Sequence, residues 1–430
     1  MRRVRRRPLV AFLTAEGASL VGNKMTMLAL PWLVLTTTGS PARVGLVAFA
    51  QTGCYVLVKL AGSPAIDRLG RKRCAVAGGL ASAAILAAAP LTSHLAGLPF
   101  PALVGIVAAL GAVQSLTDSA KRLMVPDLVA ASGAPLERVT SLYAGVERLS
   151  FLLGTPAAGL LIAGLGAVNV LLLDATAALF AAVLIGVAVP AAPRPAAADG
   201  YLDSLRVGLR FVRADRLLLA VAGLLFFTNL IDQATMAVYV PTWIDQVVGN
   251  PAVLGTIAGT YGLGAVLGSL LFAWRGPRLP RYPTFAVSLL LAGSPLLFGL
   301  ALTTSLPLLL GICLWTGVMS ASINPIISSA MFERVPPDLH ARVFGFTGSL
   351  AWAGVPLGGL LGGLAMGALG RTPGLLLSAF VYLAVTLLPL FGSTWRRLER
   401  QPPDYGAGRS TCASLPGKTR PSLPSGQRTK

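Results

Sequence analysis

A chain of 430 residues in which 54% of side chains are apolar and only 12% charged is not a soluble globular protein, because soluble domains carry about 25% charged residues. Its net charge of +19, from 35 Lys and Arg against 16 Asp and Glu, would suggest nucleic acid in a soluble chain, so it has to be tested first against membrane topology. Four scattered cysteines and two histidines, with no CxxC and no ligand spacing, support neither a disulfide framework nor a metal site.

A membrane-spanning helix needs roughly 20 mostly apolar residues. Twelve segments qualify, at about 8–36, 41–62, 74–94, 98–119, 140–165, 167–190, 217–240, 252–274, 282–303, 306–330, 343–368 and 372–394. The runs are too long and too uniformly apolar for the alternating strands of a barrel, and helices satisfy their own backbone in lipid. The expected fold is therefore an all-α integral membrane protein of twelve transmembrane helices. The opening MRRVRRR precedes an apolar run that reaches Thr36, carries Glu16 and Lys24 and lacks a small-residue cleavage site, so an uncleaved first span is expected rather than a signal peptide. Residues 1–190 form a first six-helix half, 191–216 a central cytoplasmic loop, and 217–394 a second half. Residues 395–430, polar, basic and rich in Pro, Ser and Gly, read as a disordered cytoplasmic tail.

Lys and Arg in short loops set orientation. With the N-terminus inside, thirty of the 35 basic residues fall in segments made cytoplasmic. Only Arg43 and Arg371 fall outside, with Lys24, Lys59 and Arg148 within spans. The basic excess is thus a topology signal, and nucleic acid drops out as a partner.

Sliding the chain against itself by 210 residues places Pro31 on Pro241, Gly45 on Gly255, Arg68 and Arg71 on Arg278 and Arg281, and Val125-Pro126 on Val335-Pro336. The offset then drifts, so that Pro156 and Gly159 match Pro356 and Gly359. Two parallel halves imply a pseudo-twofold along the membrane normal, with a site near the midplane between them.

The second cytoplasmic loop reads AGSPAIDRLGRKR and resembles the signature loop of the major facilitator superfamily. Asp67, Arg68, Gly70, Arg71 and Lys72 match that pattern, whereas Ser63 stands where its first glycine is usual. A carboxylate beside guanidinium groups at a helix end can make charge-assisted contacts particular to one conformational state, and Gly70 permits the tight turn. LALPWLVLTTTGSPARVGLVAF, SAKRLMVPDLV, GLRFVRADRLL and ERVPPDLHARVFGF resemble the bacterial efflux branch that holds macrolide and siderophore exporters. In span five, LLGTPAAGLL looks like a weakened antiporter motif: Gly154, Pro156 and Gly159 fit, while Thr155 and Leu160 replace glycines. The resemblance implies a multi-pass secondary transporter of the bacterial inner membrane with both termini cytoplasmic. Nothing in the sequence demands more than a monomer.

Ionisable groups inside spans are costly and default to function. Glu16, Lys24, Glu147, Arg148 and Asp232 are the intramembrane candidates. With both histidines outside the spans, a proton carrier must be a carboxylate, which leaves Glu16, Glu147 and Asp232. Lys24 and Asp232 lie at similar depth under the repeat and are expected to pair across the pathway in one state. Asp118 is expected to meet Lys121, three residues on, and Asp174 to serve as a structural hydrogen-bonding acid. Gln51, Gln114, Asn229, Gln233, Trp315 and Asn324 are candidate cavity residues, with Phe226, Phe227, Tyr239 and Tyr261 as further aromatics, a lining suited to amphiphilic molecules.

The expected function is proton-coupled export of a small amphiphilic compound, such as an antibiotic or siderophore, by alternating access. Substrate, protons and the lipid bilayer are the expected partners, and no cofactor is expected. The absence of a GxxxxGK[ST] loop argues against ATP hydrolysis by this chain, and the scarcity of His argues against a membrane-embedded enzyme. An importer of the same fold and a non-transporting sensor are the rival readings.

Overall fold

In the computed structural model, residues 7–96, 99–190, 209–336 and 339–399 are described, and no strand occurs among them. The first half comprises α1 (Arg7–Thr38), α2 (Pro41–Ala61), the short α3 (Ser63–Leu69), α4 (Arg71–Ala96), α5 (Phe100–Ser132), α6 (Leu136–Leu165) and α7 (Ala167–Ala188). The second comprises α8 (Arg216–Ala234), α9 (Val240–Val247), α10 (Ala252–Arg275), α11 (Arg281–Ala292), α12 (Ser294–Leu302), α13 (Leu306–Ser320), α14 (Ile323–Arg334), α15 (His340–Leu369) and α16 (Arg371–Leu387), followed by the single turn α17 (Ser393–Arg396). Eleven helical segments are long and apolar enough to cross a bilayer on their described residues. The 26-residue α4 holds the remaining position, packed against α5 and α7.

Single glycines reverse the chain between helices. Gly166 separates α6 from α7 and Gly370 separates α15 from α16, each at φ 82°, where a Cβ would be strained. These two junctions are counterparts in the two halves, so the repeat extends to backbone geometry.

Several expected boundaries move. The fourth span, expected to end near residue 119, continues as α5 to Ser132 through Pro126, which makes Lys121 and Arg122 helical rather than loop residues. The seventh crosses in three pieces: α8, a π-turn at Thr235–Tyr239 and α9. The cause is Pro241 in the first turn of α9, which lacks an amide for the i→i−4 ladder; the Val240 amide instead reaches back to Thr235. The ninth breaks at Gly293 between α11 and α12, and the tenth at Ala321–Ser322 between α13 and α14.

The tail does not begin at residue 395 as expected. Trp395 and Leu398 are buried, the Trp395 ring stacks on Phe285 at 5.9 Å, and the Glu399 carboxylate accepts from the Arg281 and Tyr282 amides at 3.0 and 3.2 Å. An indole and a leucine that can reach an apolar groove at the base of α11 are too apolar to remain in water. Residues 400–430, most of the central loop (191–208) and the first six residues lie outside the described set.

Packing differs between the two ends of the bundle. One core cluster holds residues of both halves, including Leu28–Leu35, Val44, Ile162, Val240, Ile244, Leu254 and Leu297. All of these lie toward the loops at 39–40, 248–251 and 303–305. At the opposite end, on the arginine-rich loops, the core divides into one cluster within each half: Phe12, Ile66, Met124 and Val139 in the first, Leu217, Phe285, Ile326 and Val343 in the second. The apolar cores of the halves thus merge at one end and stay separate at the arginine-rich end.

Candidate transport cavity

Two seams join the halves, α2 against α15 and α6 against α10. Both are built from glycine. In α15, Gly359, Gly363 and Gly367 recur at i+4, so they share one helix face. A Cβ on Gly45 would strike the Gly359 carbonyl and come within 2.9 Å of the Gly363 Cα. In the second seam a Cβ on Gly159 would lie 2.6 Å from the Gly255 amide nitrogen, and one on Gly259 would lie 2.7 Å from Pro156 Cγ. Small residues let helix backbones approach this closely. Of the span-five motif, Pro156 and Gly159 face α10, whereas Gly154 faces α1, where an added Cβ would lie 3.4 Å from that of Lys24.

Between the halves lie two adjoining compartments. One, of about 330 Å³, is lined by Asn229, Asp232, Tyr261, Asn324 and Tyr382 of the second half and Phe151 of the first. The other, of about 220 Å³, is lined by Asn23, Gln51, Tyr55, Gln114, Gln233 and Trp352. Met27 and Met236 line both and form the partition between them. The π-turn carries Thr235, Met236 and Ala237 onto these walls, as such irregular turns often do at functional sites.

Of the expected cavity residues, Gln51, Gln114, Asn229, Gln233 and Asn324 meet a compartment. Gln114 donates to Asn23 Oδ1 at 3.1 Å and Asn229 donates to the Ala351 carbonyl at 3.1 Å. Trp315 does not belong with them: it is 49% exposed and lines neither compartment. It lies two turns from the exposed Leu308, on the outward stripe of α13 where an apolar ring suits lipid. Tyr239 is also turned away, buried and hydrogen-bonded to Ser378 at 2.6 Å.

The intramembrane charges separate into different environments. Glu16 is 2% exposed. Its carboxylate meets the Lys121 ammonium at 3.1 Å and accepts from the Tyr143 hydroxyl at 2.9 Å, while Lys121 also donates to Ser19 at 2.8 Å. Lys121 was expected to meet Asp118; three residues along one helix set them side by side, but the ammonium points across to α1. Asp118 accepts instead from the Tyr55 hydroxyl at 3.2 Å. Asp174 accepts from Thr26, and together with Lys121 and Asp118 it lines a small pocket of about 20 Å³ within the first half, room for a single water.

Glu147 is half exposed, with Arg122 at 3.8 Å, and Arg148 is exposed. Lys24 does not pair with Asp232 in this structure: its ammonium lies 5.3 Å from the centroid of the Phe151 ring. Asp232 is accessible from the cavity and lines the same compartment as Tyr382. Tyr382, Trp352 and the two methionines are cavity residues that the sequence did not single out, and Lys121 pairs with Glu16 rather than with Asp118. The polar character of Tyr382 and Lys121 was visible, but not their convergence on the acids of other helices.

In the signature loop, Gly70 ends α3 at φ 90°. Arg71 bonds both oxygens of Asp127 at 3.0 and 2.9 Å, Arg68 is exposed, and Lys72 is half-buried. The Asp67 side chain lies outside the described set. In the second half Arg281, the repeat counterpart of Arg71, bonds both oxygens of Glu333 at 2.7 Å.

Comparison with known proteins agrees with this architecture. The family model described as Major Facilitator Superfamily matches residues 12–249 and 222–421. The multidrug efflux pump Tap of Mycolicibacterium fortuitum is 29% identical over 416 residues, covering 93% of this chain and 99% of that protein. Tap of Mycobacterium tuberculosis is 28% identical over 424 residues, covering 94% and 97%. Among solved structures, a bacterial homologue of the human lysosomal transporter Spinster, in an inward-facing and unoccupied conformation, superposes with TM-score 0.70 at 13% identity over 94% of this chain and all of that one. The nucleoside transporter NupG gives TM-score 0.70 at 13% identity, over 89% of this chain and 97% of its own.

Proposed function

Because the chain belongs to the major facilitator superfamily, we propose that it is a proton-coupled exporter of small amphiphilic compounds, acting by alternating access. The observation that carries this reading is the cavity itself: two compartments between the halves, fused shut at one end by the glycine seams and divided at the arginine-rich end. Kinship along nearly the full length of two proteins named multidrug efflux pumps supports the outward direction. The arginine-rich end is cytoplasmic by the rule that positive loops stay inside, so this conformation receives substrate from the cytoplasm of a bacterial cell. Both termini are then cytoplasmic, in a monomer of the inner membrane.

Coupling needs a carboxylate whose protonation changes which conformation is preferred. Glu16 already has the Lys121 ammonium against it, and Glu147 is half exposed beside Arg122. Asp232 meets the cavity with no ion-pair partner among the described residues, so it is the carrier. In proteoliposomes an outward-directed drug movement is expected to drive proton movement the other way, and Asp232→Asn to abolish the proton signal. Drug-driven flux that leaves the proton signal of Asp232→Asn at the wild-type level rejects the assignment. Absence of any drug flux from the wild-type protein rejects export.

A further inference from the structure

We infer that the cleft between α6 and α10 at the arginine-rich end seats an anionic phospholipid of the surrounding leaflet, its phosphate on the Arg148 guanidinium and a chain along Val266 and Leu270. The inference rests on the membrane-spanning fold alone and is independent of the cargo, of Asp232 and of the direction of transport.

The cleft follows from where the second seam ends. Gly159 and Gly255 are in backbone contact, and Gly262, on the same face of α10, meets the Phe151 ring 3.3 Å from an added Cβ. At helical spacing that face continues toward the arginine-rich end through Val266, Leu270 and Ala273, and these are exposed, Leu270 by 65%. On α6 the face of Gly159 and Leu152 continues through Arg148, Gly145 and Ser141, also exposed, and a Cβ on Gly145 would meet nothing within 4 Å. The stripes that touch at Gly159 and Gly255 therefore stand apart beyond Phe151. The other seam behaves differently: α2 keeps α15 within reach to its last turn, where the Lys59 ammonium lies 4.7 Å from the Trp352 ring centroid.

Arg148 supplies the charge at this opening. It lies ten residues, about 15 Å of helical rise, inside the span that begins at Arg138. It lines neither compartment and has no ion-pair partner among the described residues. Its sequence neighbour Glu147 turns instead to Arg122. A guanidinium at that depth needs an anion, and its long stem lets it reach toward the headgroups. The phosphate of a lipid is the anion that a bilayer offers there, and it fits the planar fork of arginine through two parallel hydrogen bonds. Basic residues between spans on the cytoplasmic side hold anionic lipid heads on the same grounds. The fold itself does not demand this cation: under the repeat that sets Pro156 on Pro356, position 148 falls on Gly348. The exposed lip of Val266 and Leu270 then takes an acyl chain, covering apolar surface that no helix covers at this end.

The test measures, by native mass spectrometry of the purified full-length protein, the retention of dioleoylphosphatidylglycerol and of dioleoylglycerol, which has the same chains and no phosphate. Arg148→Gln is expected to weaken the phosphatidylglycerol by about fivefold or more and to leave the diacylglycerol within about twofold. Arg148→Lys is expected to recover part of the loss, since the charge returns without the fork. Val266→Trp, which fills the cleft with the guanidinium still present, is expected to weaken both lipids. Each substituted side chain is exposed, so the variants are expected to unfold at the wild-type midpoint. Unchanged phosphatidylglycerol retention in Arg148→Gln overturns the inference, as does equal loss of both lipids that Arg148→Lys does not restore. It also falls if inorganic phosphate displaces the lipid while Val266→Trp has no effect, because the site then holds a free anion and not a seated lipid.

Discussion

Glu16 and Lys121 illustrate how a charge is tolerated inside the bundle: each is about 3% exposed and each has the other as its main partner. Removing one leaves the other buried and unpaired, which costs about 3–5 kcal/mol, whereas replacing both by apolar groups of like volume is often close to neutral. Lys121→Ala and Glu16→Ala are therefore each expected to lower the midpoint of thermal unfolding in detergent sharply. Glu16→Leu combined with Lys121→Met is expected to sit well above either. Equal loss in the double variant would mean that the two charges contribute independently. The exposed Arg122–Glu147 pair, at 3.8 Å, is worth about 0–1 kcal/mol, so Arg122→Ala is expected to leave the unfolding midpoint little changed. The sequence exposed Glu16 as an anomaly, because an acid within an apolar run is visible in one dimension. It hid Lys121, since hydropathy ends the span near residue 119 and only the third dimension shows that α5 stays helical and turns the ammonium inward.

At the scale of elements, the decisive feature is the approach of backbones at the two seams. The collinear matches Gly45 with Gly255 and Gly159 with Gly359 were legible as a repeat. What the sequence could not say is that these four residues meet across the halves: Gly45 on Gly359, Gly159 on Gly255. Each half contributes one helix to each seam, so the repeat becomes an interface when the pseudo-twofold is applied. Adding a methyl to such a contact forces backbone shifts costing about 1–3 kcal/mol, applied only to the conformation in which the seam is closed. Gly45→Ala is expected to shift the population toward the conformation open at the Gly39 end by about tenfold, the equivalent of ~1.4 kcal/mol. Spin labels at Ser40 and Arg371 would report this as a longer distance population. An unchanged distance distribution would show that the seam has slack. The breaks within the seventh, ninth and tenth crossings were less legible, because a hydropathy window averages across one glycine or proline.

For the whole molecule, the division of the core matters more than the number of helices. Twelve spans follow from composition and length, but the conformation follows from which apolar residues touch which. One core unites the halves at the Gly39 end, and two separate cores serve them at the arginine-rich end. No periodicity encodes that asymmetry, since the same side chains must repack when the open end changes. Alternating access then requires the seams to part on every cycle, and α2 and α15 offer a direct way to stop them. A Cβ on Gly367 would lie 3.2 Å from that of Ala42, just under the roughly 3.5–4.5 Å Cβ separation of disulfides, so that a shift of a few tenths of an ångström admits the bond. In a background with the native cysteines replaced by serine, Ala42→Cys with Gly367→Cys is expected to form a disulfide on oxidation. Drug flux in proteoliposomes is expected to fall below about a tenth of the reduced value, since a covalent tie of this kind does not yield to binding energies of a few kcal/mol. Reductant is expected to restore it, and each single variant to be insensitive to oxidant. Full flux with the disulfide demonstrably formed would mean that this end of the bundle never opens, and that substrate leaves by a route other than between the halves.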